Sequence, residues 1–205
     1  MTKAVWGSRI RLVAAAVLTI ASASCGDMVR EGTASSYLVI STLEGASGAD
    51  PSTFGTTVAS DVITVKDNVA TIYSDPGRVT FKLGLKDPGA AGSPSSPTQN
   101  NWVTVTQYHV QYVRSDGHNV QGVDVPYAFD GGITGTVDGG GDTSAGFTLV
   151  RTQAKQEAPL GALVSNPVPL STIARVTFYG HDQTGREVSV TGSIDVTFAN
   201  FGDPK

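Results

Sequence analysis

The sequence predicts an all-β body of about seven to nine strands, and three observations predict it. The 205 residues include 24 glycines and ten prolines but only two methionines, a composition of turns rather than of long helices. Apolar and polar residues alternate in short runs, most clearly where Val188, Val190, Gly192, Ile194, Val196 and Phe198 share one parity. Between the runs lie stretches of Gly, Pro, Asp and Ser, the residues that make turns.

Taken in order, the chain begins with an export signal over residues 1–24. Lys3, Arg9 and Arg11 form a basic start, Leu12 to Ala21 is an uncharged apolar run, and small residues follow. The run is too short to cross a hydrocarbon core as a helix, which takes about 20 residues. Cys25, the single cysteine, ends the stretch. Ser22, Ala23, Ser24 and Cys25 resemble the lipobox of bacterial lipoproteins, with Ser22 standing where an aliphatic residue is usual. The resemblance implies lipid attachment at Cys25, a membrane partner through that N-terminal lipid, and an outer-membrane address, because Gly26 replaces the Asp linked to inner-membrane retention. Ala21, Ser22 and Ala23 also read as an A-x-A cleavage site, which would release a soluble secreted or periplasmic chain starting at Ser24. Both readings predict export.

Removing the signal leaves 181 residues, enough for one domain that buries about 70% of its unfolded surface. Eleven basic residues then face eighteen acidic ones, a net charge of −7. Such a surface repels phosphate backbones and anionic headgroups, which argues against nucleic acid as a partner and against a polybasic membrane patch. Beyond Cys25 the body has no cysteine, so its core must hold it.

Residues 25–35 are small and polar, a tether of roughly 15 to 20 Å in the flexible regime. A single domain is expected over residues 36–201. Its first strand is Tyr37 to Leu43, followed by a loop from Gly45 to Thr57 and a short strand from Val62 to Val65. From Arg78 to Leu85 the alternation puts Val79, Phe81, Leu83 and Leu85 on the core face. Lys86 to Asn101 carries three prolines and no apolar period, and reads as a long loop inside the domain. Trp102 to Arg114 is a long strand whose apolar parity changes near Thr106, which predicts a bulge there. A polar loop runs from Ser115 to Pro126, and Phe129 to Val137 and Phe147 to Thr152 add strands. Pro159, Pro167 and Pro169 limit any helix between Gln153 and Ser171 to a brief one around Leu160 to Val164.

At the C-terminus Ala174, Val176, Phe178 and Gly180 alternate with polar residues up to a turn at Asp182 to Gly185, after which the last strand begins. Gly192, on the buried parity, predicts a bend or a close approach. The segment ARVTFYGHDQTGREVSVTGSIDVTF resembles the closing hairpin of bacterial immunoglobulin-like and fibronectin-like modules. That resemblance covers about 25 residues and implies an immunoglobulin-like Greek-key sandwich, without the cysteine pair of antibody domains.

No catalytic signature accompanies these elements. There is no G-x-S-x-G, and of the three histidines His109 lies mid-strand, His118 in a loop and His181 beside the last turn, where His181 and Asp182 would point to opposite faces. No H-x-x-x-H or C-x-x-C spacing supports zinc, and the acidic loops at Asp130 and at Asp138 to Asp142 depart from the calcium-loop pattern, so no metal or cofactor is expected. Gly139 to Gly141 lacks the lysine and helix of a phosphate cradle. Glu31, Glu44, Glu157 and Glu187 are not paired by spacing, and Trp102, Tyr108, Tyr112, Tyr127 and Tyr179 read as strand and core aromatics rather than a sugar platform.

The expectation is a non-enzymatic envelope protein, structural or binding a protein or glycan through its loops 86–101, 115–131 and 138–145. The candidate binding residues are Asp116, His118, Asp130, Asp138 and Asp142. The alternative is a secreted or surface hydrolase or carbohydrate-active module whose site is assembled from distant residues.

Overall fold

The computed structural model describes residues 32–166 and 168–202. The signal segment and Cys25 lie outside the described residues. The body is all-β, with two large sheets packed face to face. The three-stranded sheet has β1 (Ser36–Gly45), β5 (Asp75–Leu85) and β10 (Thr143–Val150) in the order β1-β5-β10. The five-stranded sheet has the order β2-β12-β11-β8-β9, formed by β2 (Thr57–Asp61), β8 (Val103–Val113), β9 (Phe129–Val137), β11 (Leu170–Asp182) and β12 (Glu187–Ala199). Pairing is antiparallel except that β2 runs parallel to β12, with Thr57 opposite Asp195 and Asp61 opposite Ala199. Two small hairpins complete the strands: β3 (Thr64–Lys66) with β4 (Val69–Thr71), and β6 (Gly89–Ala90) with β7 (Ser93–Pro94).

The core forms where the two inner faces meet. Leu38, Val79 and Phe81 come from one sheet, and Val105, Val110, Val176, Phe178, Val196 and Phe198 from the other, all buried. Phe178 is central: Phe81 meets it edge to face with ring centroids 5.1 Å apart, and Phe147 does so at 5.3 Å. Such aromatic contacts add about 0.5–1.5 kcal/mol beyond the area they bury. Three glycines sit opposite aromatics in register, Gly84 with Tyr37, Gly77 with Phe147 and Gly131 with Tyr108. In each pair the ring lies where a Cβ on the glycine would stand, so the aromatic covers a strand position that has no side chain of its own.

Most strand expectations match the chain. The bulge near Thr106 is a register shift between Val105 and Gln107, and Gly192 is a close approach, its Cβ position 2.9 Å from Ile40 Cδ1 and Leu43 Cδ2. Gly185 takes φ +82° at the final turn. Four details differ. The short strand expected over 62–65 is displaced: β2 precedes it and β3 overlaps its end, because Ser60, Asp61 and Thr64 are buried polar residues satisfied by hydrogen bonds and so hide the apolar alternation. Leu83 and Leu85 are only half-buried, near the end where β5 leaves the core. The 86–101 loop contains the β6–β7 hairpin and a 3-10 turn at Gln99–Asn101. The strand from Phe147 stops at Val150, and α1 (Thr152–Gln156) follows, ahead of the expected short helix, which is a 3-10 turn at Leu160–Val164.

Register also sorts the loops into two ends. Ser36 pairs with Leu85, Val103 with both Val137 and Asp182, and the Ser36 hydroxyl donates to the Asn101 carbonyl at 2.6 Å. The chain therefore enters the domain at the end that carries segment 86–101 and the turns at 138–142 and 183–186. At the other end Gly45 pairs with Gly77, Val150 with Asp75, and Leu170 with Phe198, so segments 46–56, 62–74, 114–128 and 151–169 gather there.

Candidate functional site

The loop leaving β8 is built by its own polar groups. Asn119 Oδ1 accepts the Arg114 N–H at 2.6 Å, Asp124 Oδ2 accepts the Val120 N–H at 3.0 Å, and Gln121 Oε1 accepts the Ala128 N–H at 3.1 Å. Gly122 at φ +76° lets the Tyr127 hydroxyl lie across its backbone, and Val125 anchors the loop in the core. With the backbone held this way, Val120 and Val123 point outward, 61% and 66% exposed. Tyr127 is exposed beside them. Val69, at the start of β4, and Tyr73, Val164 and Val168, in the segments 62–74 and 151–169, are exposed at the same end. The end that receives the N-terminal segment carries no exposed large apolar residue in its loops among the described residues.

The acidic and histidine candidates are not brought together. Asp116 closes its own turn, accepting from the Arg114 guanidinium and, at 3.1 Å, from the His118 N–H. The hydrogen bond from Arg114 holds the Asp116 carboxyl below the usual range. Asp130 pairs across the strands with His109 Nδ1 at 2.8 Å. Asp138 Oδ1 accepts the Gly140 N–H at 2.9 Å, and Asp142 pairs with Lys82 at 3.4 Å. These last two flank a hollow of about 150 Å³ at the end opposite Asp116 and His118, roughly 30 Å away along β8. Each carboxylate thus serves a turn or an exposed pair, and among the described residues no group of three or more His, Cys, Asp or Glu could hold a metal ion. Tyr108 and Tyr112 are buried, which leaves them to the core and not to a surface platform. His181 is exposed while Asp182 is buried, on opposite faces.

Open grooves lie elsewhere among the described residues. One of about 680 Å³ runs beside β10, lined by Phe54, Arg78, Tyr108 and Phe147 with no carboxylate. Another, about 660 Å³, lies on the outer face near Gln107, Tyr179 and His181, and among the described residues Glu187 is the single carboxylate that lines it. Among the described residues neither places two acids across a sugar-sized gap.

The charged cluster in the interior was not singled out by the sequence. Lys155, on α1, and Asp75, at the start of β5, are 1% and 0% exposed. Lys155 Nζ donates to Asp75 Oδ1 and to the Asp61 carbonyl, both at 2.8 Å. Asp75 Oδ1 also accepts the Gly48 N–H at 2.7 Å, and Oδ2 accepts the Ser60 hydroxyl at 2.5 Å. Burial pushes the Asp75 carboxyl above its ordinary value, against the opposing pull of Lys155 and these donors. No sequence motif marks the pair, because Lys155 stands in a polar run, Gln153 to Glu157, that reads as surface.

Comparison with protein-family models, with curated proteins and with solved structures finds no match to this chain.

Proposed function

We propose that this chain is a non-enzymatic lipoprotein of the cell envelope, anchored through Cys25, whose β-sandwich presents an apolar loop end to a protein partner. One observation carries the reading. Val69, Tyr73, Val120, Val123, Tyr127, Val164 and Val168 are exposed in the connecting segments at the end opposite the one where the chain enters the domain. Exposed apolar groups gathered in one place mark interaction surfaces more than scattered ones do. The set is mostly valine, which offers apolar area without the flat rings on which sugars stack, so a protein face fits it better than a glycan.

An immunoglobulin-like Greek-key arrangement is the finer fold reading. Its support is the strand order: β1 joins one sheet, β2 runs parallel to the last strand in the other, and β5 to β8 and β9 to β10 cross between sheets. Architectures of this kind carry their chemistry on end loops.

Two measurements test the proposal. Intact mass of the mature chain is expected to show an acylated N-terminus at Cys25; an unmodified chain starting at Ser24 would remove the anchor. Envelope protein captured by the immobilised wild type is expected to be lost with Val123→Asp and retained with Asp138→Ala. Equal capture by both variants, or no capture at all, would remove the binding role.

A further inference from the structure

We propose that Lys155 and Asp75 become joined by an intramolecular amide bond between Lys155 Nζ and Asp75 Cγ, formed with the loss of one water. The two groups are already in direct contact, Nζ lying 2.8 Å from Oδ1, and both are closed off from solvent. A nucleophile held against its electrophile gains the advantage of an intramolecular reaction, and a site without bulk water favours a condensation that expels one.

The surrounding groups match what the step requires. One proton passes from the ammonium to the carboxylate, which leaves a neutral amine and a neutral acid. Burial that raises the Asp75 carboxyl favours this exchange, since it removes two charges from a low-dielectric interior. The Nζ lone pair then forms the N–C bond at Cγ. Charge developing on Oδ1 is met by the Gly48 N–H, which already donates to that atom at 2.7 Å. The Cγ–Oδ2 bond breaks. Ser60, bonded to Oδ2 at 2.5 Å, is placed to pass a proton to the departing oxygen and recover one. Of the three protons on Nζ, two leave with Oδ2 as water and one stays on the amide nitrogen. No oxidant or co-reactant is consumed.

The product fits the cage that holds the reactants. The amide N–H keeps the Asp61 carbonyl as its acceptor, and the amide oxygen keeps the Gly48 N–H as its donor. The bond would tie α1 to the first residue of β5 across 80 positions of sequence, in a body that has no cysteine for a disulfide.

The test is a tryptic digest of the full chain under denaturing conditions, read by mass spectrometry. The expected result is a linked pair of peptides containing Asp75 and Lys155, one water lighter than their sum, with no cleavage after Lys155. Lys155→Arg is expected to abolish the linked pair. Asp75→Asn keeps the carbonyl and forms the same amide by releasing ammonia, so its linked pair has the wild-type mass. Free wild-type peptides, with cleavage after Lys155 and no linked species, overturn the proposal.

Discussion

Single side chains set several of the fold's local choices. Tyr112 donates its buried hydroxyl to the Leu149 carbonyl at 2.7 Å. Leu149 sits at the register shift between Thr148 and Val150, where β10 loses its ladder partner on β5, so this carbonyl depends on the tyrosine. Burial pushes the Tyr112 hydroxyl well above its ordinary pKa, which keeps it a donor. Tyr112→Phe should therefore cost about 1–2 kcal/mol in urea unfolding, since the carbonyl is left buried and unpaired. Asp182 behaves differently. Burial pushes its carboxyl up, but the Thr184 hydroxyl at 2.6 Å and the Arg186 and Thr184 N–H groups outweigh this and hold it below the usual range. A lowered native pKa gives stability that is present above the unfolded value, about 3.9, and is lost as pH falls through the native one. The urea midpoint of the wild type should exceed that of Asp182→Asn at pH 7, and the gap should close below about pH 4. At this scale the sequence was partly legible. Asp116 and Asp138 stand beside glycines, Asp182 opens the turn that closes at Gly185, and all three serve turns as their residue type suggests, whereas the Lys155–Asp75 contact joins two distant polar segments and left no local trace.

Among the elements, β11 and β12 were the most legible because one face is wet and the other buried along nearly their whole length. β2 was the least legible. Its inward positions include Ser60 and Asp61, whose burial is satisfied by Asp75, Thr64 and the Phe201 N–H, contacts made far away in sequence or outside any periodic pattern. Val120 and Val123 were hidden differently, since two valines in a polar loop give no period until the loop's own hydrogen bonds turn them outward. The two close glycines in β11 and β12 separate by what they face. A Cβ on Gly180 would collide with the backbone carbonyl of Thr104 at the β11–β8 register shift, and a strand backbone cannot move alone. One on Gly192 would meet the terminal methyls of Ile40 and Leu43, which can turn aside. Gly180→Ala should lower unfolding stability by about 1–3 kcal/mol and Gly192→Ala by clearly less. Equal losses would contradict this ranking.

At the scale of the whole molecule, the two ends of the sandwich differ in chemistry: polar turns and the Asp142–Lys82 pair at one, exposed valines at the other. Val123→Asp should leave thermal unfolding within about 0.5 kcal/mol of wild type, because an exposed loop position contributes little to the core. A large loss of stability would mean that Val123 packs rather than presents. The parallel pairing of β2 with β12 has a different consequence, in the order of assembly. Residues 57–61 find their partner only at residues 195–199, so the sheet edge stays open until that distant segment has emerged. Contacts this distant in sequence make folding slow, in the range of milliseconds to seconds for β-sandwiches. While it waits, the free edge of β11 is a template for other chains. A chain cut before Glu187 should accordingly aggregate rather than fold, whatever the quality of the core already formed.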